Sequence, residues 1–569
     1  MKVAKRYLIF IAVLALMFCG KFYIMTIDAS SLNSFRGGEL LDEVWNPLVA
    51  EDVNSSLLSV FIDNHEFTNE STRLYMDGER NIMVPISILR DSMNCSVHVY
   101  DGNTVLIEKH DDSALFTIGE TEAVCNGKQR NLSSAPVEKD GEIYISLNDL
   151  TEVLNYSSTY NPEQVTYVTA DSAETTSVIP TSYDLRKRER VSSVRNQLQY
   201  GTCWGFAAAS ALESSLLPEI SETFAVDHMV LANSYNVNLY DGGDYTMGMA
   251  YFAAWQGPVY EKDDPYGDGE TDESLSAAYH VQEMRVIDGK DYEAIKTAVF
   301  LYGGVQSSLY SSIRSAYTSD ENYNRETTSY CYIGTEKSNH DVVIIGWDDN
   351  YPKENFNVEL EGDGAFICQN SWGENFGDDG VFYVSYYDTN IGTHNVVYTK
   401  VEGTDNYDHI YQSDLCGWVG KIGYNKDSIY GANVFTADGD ESIAAASFYA
   451  TGSNTSYELY VVNDYKNTAS FGNARKVASG TLDQAGYYTV DFNQEIAVDE
   501  GERYAILLYI STPDSTHPLA IEYDTGDDAL ANVDLDDGEG YISYNGKTFT
   551  DVKEKQNCNL CIKAFTNDR

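Results

Sequence analysis

Cys203 stands in a setting that could turn a thiol into a nucleophile. It lies in QLQYGTCWGFAA (197–208), and a cysteine attacks only as its thiolate, so it needs a local positive field. Thr202 is a suitable N-cap, and CWGFAAASALESSLL carries apolar residues at helical spacing up to Pro218. This predicts a helix with Cys203 in its first turn, where the helix dipole favours negative charge. The chemistry then needs a histidine to move the proton and a partner to hold the imidazole. His340 opens the apolar run of SNHDVVIIGWDD, which reads as a buried strand, and 30 residues later GAFICQNSWGENFG carries Asn370 and Trp372. Singly, none of them makes a case: a free cysteine is most often just buried, and a histidine at a strand end is more often structural.

Together these blocks resemble the papain family of cysteine proteases. That family's signature is C-G-[SA]-C-[WY] at the nucleophile, with His and Asn roughly 130–150 residues downstream. Here Tyr200-Gly201-Thr202-Cys203-Trp204 is followed by His340 after 137 residues and by Asn370 after 167, slightly beyond that range. The likeness covers about residues 181–400. In order it includes PTSYDLRKRERVSSVRNQ, DGGDYTMGMAYFAAWQGPVYEKDDPY, NHDVVIIGW and NSWGENFGDDGVFYVSY. It implies a two-lobed domain, helical plus β-barrel, with Cys203 as nucleophile and His340 as general acid/base. Asn370 would orient His340 by accepting from its ring, and Gln197 with the Cys203 backbone N–H would form the oxyanion hole. On the substrate side, Gly242 and Gly243 would lie beside the bound peptide, Trp372 would shield the His–Asn bond, and Asp341 would help floor the pocket for the second substrate side chain. Three departures stand out. Tyr200 and Tyr240 occupy positions where the family has a disulfide. Asp341 replaces a small residue, so the pocket is expected to be partly acidic and to favour basic or polar side chains. No helical inhibitory propeptide of the usual kind is visible.

The elements around this segment imply a multidomain α+β chain. Its 569 residues and 43% hydrophobic content exclude a mainly disordered protein. Residues 1–30 read as a signal peptide or membrane anchor: Lys2, Lys5 and Arg6 precede an apolar stretch from Tyr7 to Cys19. A secreted or cell-surface protein is therefore expected, with membrane anchoring through this segment left open. Residues 50–170 hold a loose internal repeat, VPISILRDSMNCSVHVYDGNTVLIEK against YISLNDLTEVLNYSSTYNPEQVTYVTA, and resemble the small α+β stalk domain named after the N-terminus of copper amine oxidases. That name imports no copper, and no metal site is expected. The peptidase-like segment spans 180–400. From 405 to 569, strands alternate with Gly/Asn/Asp turns, which predicts a β-sandwich resembling lectin-like domains of exported bacterial proteins.

A net charge of −51 repels phosphate backbones and argues against nucleic-acid partners. Nine cysteines are too few for a disulfide scaffold, and Cys558-x-x-Cys561 lacks a second pair or a nearby histidine at zinc spacing. No cofactor is expected. Trp418, Tyr424 and Tyr430 could stack a surface glycan, although core positions suit sandwich aromatics better. Asp524, Asp527, Asp528, Asp534, Asp536 and Asp537 fit a solvated loop better than a calcium site. The leading expectation is an exported cysteine endopeptidase acting on protein or peptide substrates through a thioester. The alternatives are a surface adhesin with a secondary or inactive papain-like domain, and a transpeptidase or amidase using the same thiol.

Overall fold

The computed structural model describes residues 58–68, 73–78, 80–100, 102–110, 112–161, 166–170 and 178–569, so the segment read as signal or anchor lies outside the described residues. None of the described helices is long and apolar enough to cross a membrane. The chain divides into two compact units, one built around residues 67–156 and the other around residues 60–66 with 157–569.

In the first unit, Ile82–Pro85 leads into the short helix Ile86–Asp91, and Glu142–Ser146 leads into the helix Leu147–Val153; the two strands pair antiparallel. Ser146 caps its helix, its hydroxyl accepting from the Asp149 N–H. A five-stranded meander from Ser96 to Asn131 completes the unit.

The second unit is organised around the helix Cys203–Leu216. Every residue from Trp204 to Ser214 is buried, so this helix has no polar face and is enclosed rather than laid on a surface. It packs against the helices Val226–Leu231 and Tyr245–Ala253 and against the strands Val305–Leu309, His340–Asp348 and Asn395–Glu402. Its last carbonyls are met by the buried Arg190, whose guanidinium donates to the Ser214 and Ser215 carbonyls and to that of Tyr302. The continuous apolar run after His340 has a matching cause, since every residue of His340–Asp348 except the last is buried. This strand lies between Ala365–Gln369 and Val305–Leu309, and Asn395–Glu402 and His280–Ile287 follow outward.

The sheet does not stop there. His280–Ile287 pairs on its other edge with Ala485–Val498, joining Met284 to Tyr487 and Arg285 to Gly486. Gly486 has φ +148°, and a Cβ there would sit 2.1 Å from the Met284 carbonyl oxygen, so only glycine fits the seam. Ala485–Val498 in turn pairs with Glu441–Ala450, and this sheet faces a six-stranded one containing Ser428–Thr436, Thr455–Val462 and Arg503–Ser511. Ile429, Phe448, Leu459, Ile506 and Leu508 fill the space between, which makes the C-terminal part the expected β-sandwich. The seam is reinforced by the Tyr235 hydroxyl donating to the Cys416 carbonyl (2.6 Å) and by Trp255 packing on Phe565 at 5.3 Å. A buried ion pair, Lys563 to Asp414 at 2.7 Å, lies within the sandwich.

Gly486→Val should therefore lower the thermal unfolding midpoint of the Cys203-helix domain and the sandwich together, by on the order of 5 °C, in one transition. Calorimetry showing two transitions, with only the sandwich one moved, would contradict a shared sheet.

Candidate active site

Cys203 is the first residue of its helix, with Thr202 in front of it at φ −101° and ψ 16°. Thr202 does not cap with its side chain, contrary to the sequence expectation; its hydroxyl instead bonds the Tyr266 hydroxyl at 2.7 Å. The backbone N–H groups of Asp341, Trp204 and Cys203 near the sulfur favour the thiolate. Burial first, then the Asp341 carboxylate, outweigh them and push the thiol up to about 12. The influence of Asp341 on the thiol also shows the start of the His340 strand to lie close to Cys203.

His340 Nε2 lies 2.8 Å from Asn370 Oδ1, and the same oxygen accepts from the Ser371 backbone N–H at 2.8 Å. A backbone N–H can only donate, so it settles which end of the Asn370 amide is the oxygen. Nε2 must then carry the proton, which leaves the Nδ1 lone pair as the ring's base. His340 and Asn370 are buried, and the Trp372 ring covers the imidazole at 4.8 Å while resting on Phe376. Burial lowers the His340 pKa to about 4, against the raising effect of the Asn370 bond.

Gln197 is oriented by the same logic. Its Oε1 accepts from Ser371 Oγ (2.7 Å) and Trp372 Nε1 (3.2 Å), and its Nε2 donates to the Tyr200 carbonyl (2.8 Å). One amide hydrogen is left over. Backbone bonds from the Gln197 N–H to Ser371 O and from the Gly373 N–H to Arg195 O pair residues 195–197 with 371–373. Ser371 thus serves both Gln197 and Asn370, and sequence reasoning missed it. Its position directly after Asn370 was the one available clue, because pairing across 174 residues leaves no local pattern.

The two glycines divide their work. A Cβ on Gly243 would lie 2.5 Å from Trp204 Nε1, so Gly243 lets its loop press on the indole. Gly242 has φ +79° and nothing within 4 Å of a Cβ, so it borders open space. The same loop is tied to the nucleophile loop by the Gly201 N–H donating to the Leu239 carbonyl at 2.7 Å. Tyr200 and Tyr240, standing where a disulfide was expected to be missing, meet edge to face with ring centroids 5.1 Å apart. Such a pair contributes about 0.5–1.5 kcal/mol, against about 2–4 for a typical disulfide.

Asp341 is buried, accepting from Ser308 Oγ (2.7 Å) and Gln306 Nε2 (2.9 Å), and Gln306 Nε2 also reaches the Trp204 carbonyl at 3.3 Å. Burial raises its pKa to about 6, and Asp244 adds to the rise. A further group that the sequence did not single out is the pair Arg195 to Glu213 (2.9 Å). It braces residue 195 against the Cys203 helix, and the other arm of Arg195 donates to the Phe224 carbonyl at 2.7 Å.

In the C-terminal sandwich the three candidate aromatics separate. Trp418 packs on Tyr449, Tyr430 is half-buried on Tyr509, and Tyr424 is exposed beside Tyr544. The six aspartates from Asp524 to Asp537 are all exposed. Cys558 and Cys561 are buried free thiols.

Residues 179–401 match the family model described as papain family cysteine protease, residues 410–566 the lectin like domain, and residues 61–169 the copper amine oxidase N-terminal domain. Mouse cathepsin K is 29% identical over 214 residues, which are 36% of this chain and 58% of that protein. Bovine pro-cathepsin H is 30% identical over 219 residues, 36% of this chain and 59% of that protein. The chain thus spans under two thirds of the length of these relatives. Among solved structures, the clostridial cysteine protease Cwp84 after propeptide cleavage is 28% identical with a TM-score of 0.61, covering 68% of this chain and 99% of that one. A second structure, the cysteine protease and lectin-like domains of Cwp84, a surface layer associated protein of Clostridium difficile, is 26% identical with a TM-score of 0.59, covering 69% and 90%. All three resemblances read from the sequence hold.

The contact between Asp341 and the thiol yields a direct test. A neighbouring carboxylate disfavours the thiolate, so Asp341→Asn should shift the pH profile of Cys203 alkylation by iodoacetamide to lower pH. An unmoved profile would separate the two groups.

Proposed function

We propose that this protein is an exported cysteine endopeptidase that hydrolyses peptide bonds of protein substrates through a thioester. The observation that carries the reading is the arrangement at His340. Its Nε2–H is committed to Asn370 Oδ1 by an amide whose orientation a backbone N–H fixes, and Nδ1 is left for the thiol.

In this mechanism Nδ1 takes the Sγ proton and the thiolate attacks the substrate carbonyl carbon. The oxyanion accepts from the Cys203 N–H and from the free hydrogen on Gln197 Nε2. As the intermediate collapses, the imidazolium gives its Nδ1 proton to the departing amine, and a thioester remains on Sγ. Nδ1 then deprotonates a water, which attacks the thioester; the second collapse returns the proton to sulfur and releases the acid. Burial disfavours both charged partners singly, so the proton transfer is favourable only as a close ion pair. Gly242 offers a side-chain-free edge for the substrate backbone. In this reading Asp341 makes the floor of the pocket for the second substrate side chain partly acidic, which favours basic or polar residues there.

Export is supported by the basic and then apolar stretch Lys2–Cys19, and a surface location by the likeness to a surface layer associated protein. Exposed Tyr424 and Tyr544 support a companion reading in which the C-terminal domain holds a surface glycan. A glycan array probed with Cys203→Ala protein tests it apart from proteolysis.

An epoxide-type thiol inhibitor should label Cys203, and Cys203→Ala should abolish hydrolysis of a peptide library. Gln197→Ala should cost roughly 10²–10³ in kcat. Activity surviving Cys203→Ala would refute the peptidase reading, and equal cleavage after Leu and Arg at the second position would remove the acidic-pocket reading.

A further inference from the structure

Beside the His340–Asn370 pair lies a cavity of about 10 Å³, bounded by the Cys203 helix, the His340 strand, Arg195 and Asn370. That volume holds one water and nothing larger. Two of its walls carry donors that the protein leaves without acceptors. Asn370 Oδ1 is fully used, but Nδ2, in a residue only 3% exposed, has no partner among the described residues. Arg195 commits its two terminal nitrogens to Phe224 O and Glu213 Oε1, yet its buried Nε likewise has none. A third wall is the hydroxyl-bearing Ser210, one helical turn before Glu213.

Two unpartnered donors favour an acceptor over a cation, since the lining Asp341 carboxylate already accepts from Ser308 and Gln306, and the volume excludes a polyatomic anion. The fitting occupant is a neutral single-atom acceptor that can also donate. We infer that one ordered water is built into this cavity, and that through it Arg195 and Ser210 act as positioning residues for the Asn370 amide. The water accepts from Asn370 Nδ2 and Arg195 Nε and donates to Ser210 Oγ, the three partners usual for a buried water. Rotation of the amide would break its bond to Asn370 and turn Nδ2 onto the His340 Nε2–H, donor against donor. The site thereby links the orientation of the imidazole to the Arg195–Glu213 brace and to the helix that carries the nucleophile. The kinetic part of this inference rests on the peptidase reading; the structural part does not.

The test is a high-resolution crystal structure of the full chain, together with Ser210→Val, which fills the cavity, and Ser210→Ala, which removes one partner and leaves the room. Ordered density bonded to Asn370 Nδ2 is expected in the wild type and in Ser210→Ala, and none in Ser210→Val. Ser210→Val should lose on the order of tenfold in kcat with KM unchanged. The acid limb of its pH profile should move to lower pH, because the Asn370 bond is what raises the His340 pKa. Ser210→Ala should show a smaller loss. Absence of the density in the wild type, or an unmoved kcat and acid limb in Ser210→Val, overturns the inference. If the wild type hydrolyses no peptide, the peptidase reading fails alone; the density and the His340 titration followed by NMR still decide this one.

Discussion

Asn370 Oδ1 accepts two hydrogen bonds, one from an imidazole and one from a backbone N–H, and the geometry of the site hangs on that double use. The backbone donor cannot be exchanged for an acceptor, so the amide has one orientation and the imidazole one tautomer. Ser371 supplies that N–H and, with its hydroxyl, fixes the Gln197 amide too. One residue therefore orients both the His340 imidazole and the Gln197 amide. The short pairing of residues 195–197 with 371–373 holds these two fixed amides in register with each other.

Enclosure sets the electrostatic terms. The Cys203 helix is buried along its length, and the His340 strand is buried beside it, so burial disfavours the charged form of both the thiol and the imidazole. Low dielectric penalises each charge alone but strengthens their attraction once the proton has moved. Asp341 biases this balance toward the thiol, and its bonds to Ser308 and Gln306 hold it in place while it does so. The departure in sequence at position 341 is thus an electrostatic departure.

Much of this was legible in the residues themselves. The helix after Thr202 announced itself by apolar spacing, and the His340 strand by an unbroken apolar run. Strands separated by Gly/Asn/Asp turns announced the sandwich. These are local signals, written within ten or fifteen residues of one another. What escaped was long-range. Ser371 and Arg195 look ordinary in sequence because their meaning lies in partners on other elements, and Thr202 has a capping side chain that a neighbouring tyrosine takes instead. The loss of the disulfide was visible at Tyr200 and Tyr240, but not that the two rings would meet each other.

The continuous sheet changes what the C-terminal domain is. A module joined only by a linker could be lost without harm to its neighbour. Here His280–Ile287 has a strand of the papain-like segment on one edge and a sandwich strand on the other, so removing the sandwich would strip a row of backbone hydrogen bonds from that segment's sheet and uncover an edge. Gly486 shows how closely the two backbones approach. That strand leads through Asn395–Glu402 and Val305–Leu309 to the strand that begins at His340, so the seam and the His340 ring share one sheet. Any ligand that stiffens the sandwich acts on a sheet that also carries the His340 strand, three strands in from the seam. The domain is thereby a structural wall of the papain-like segment.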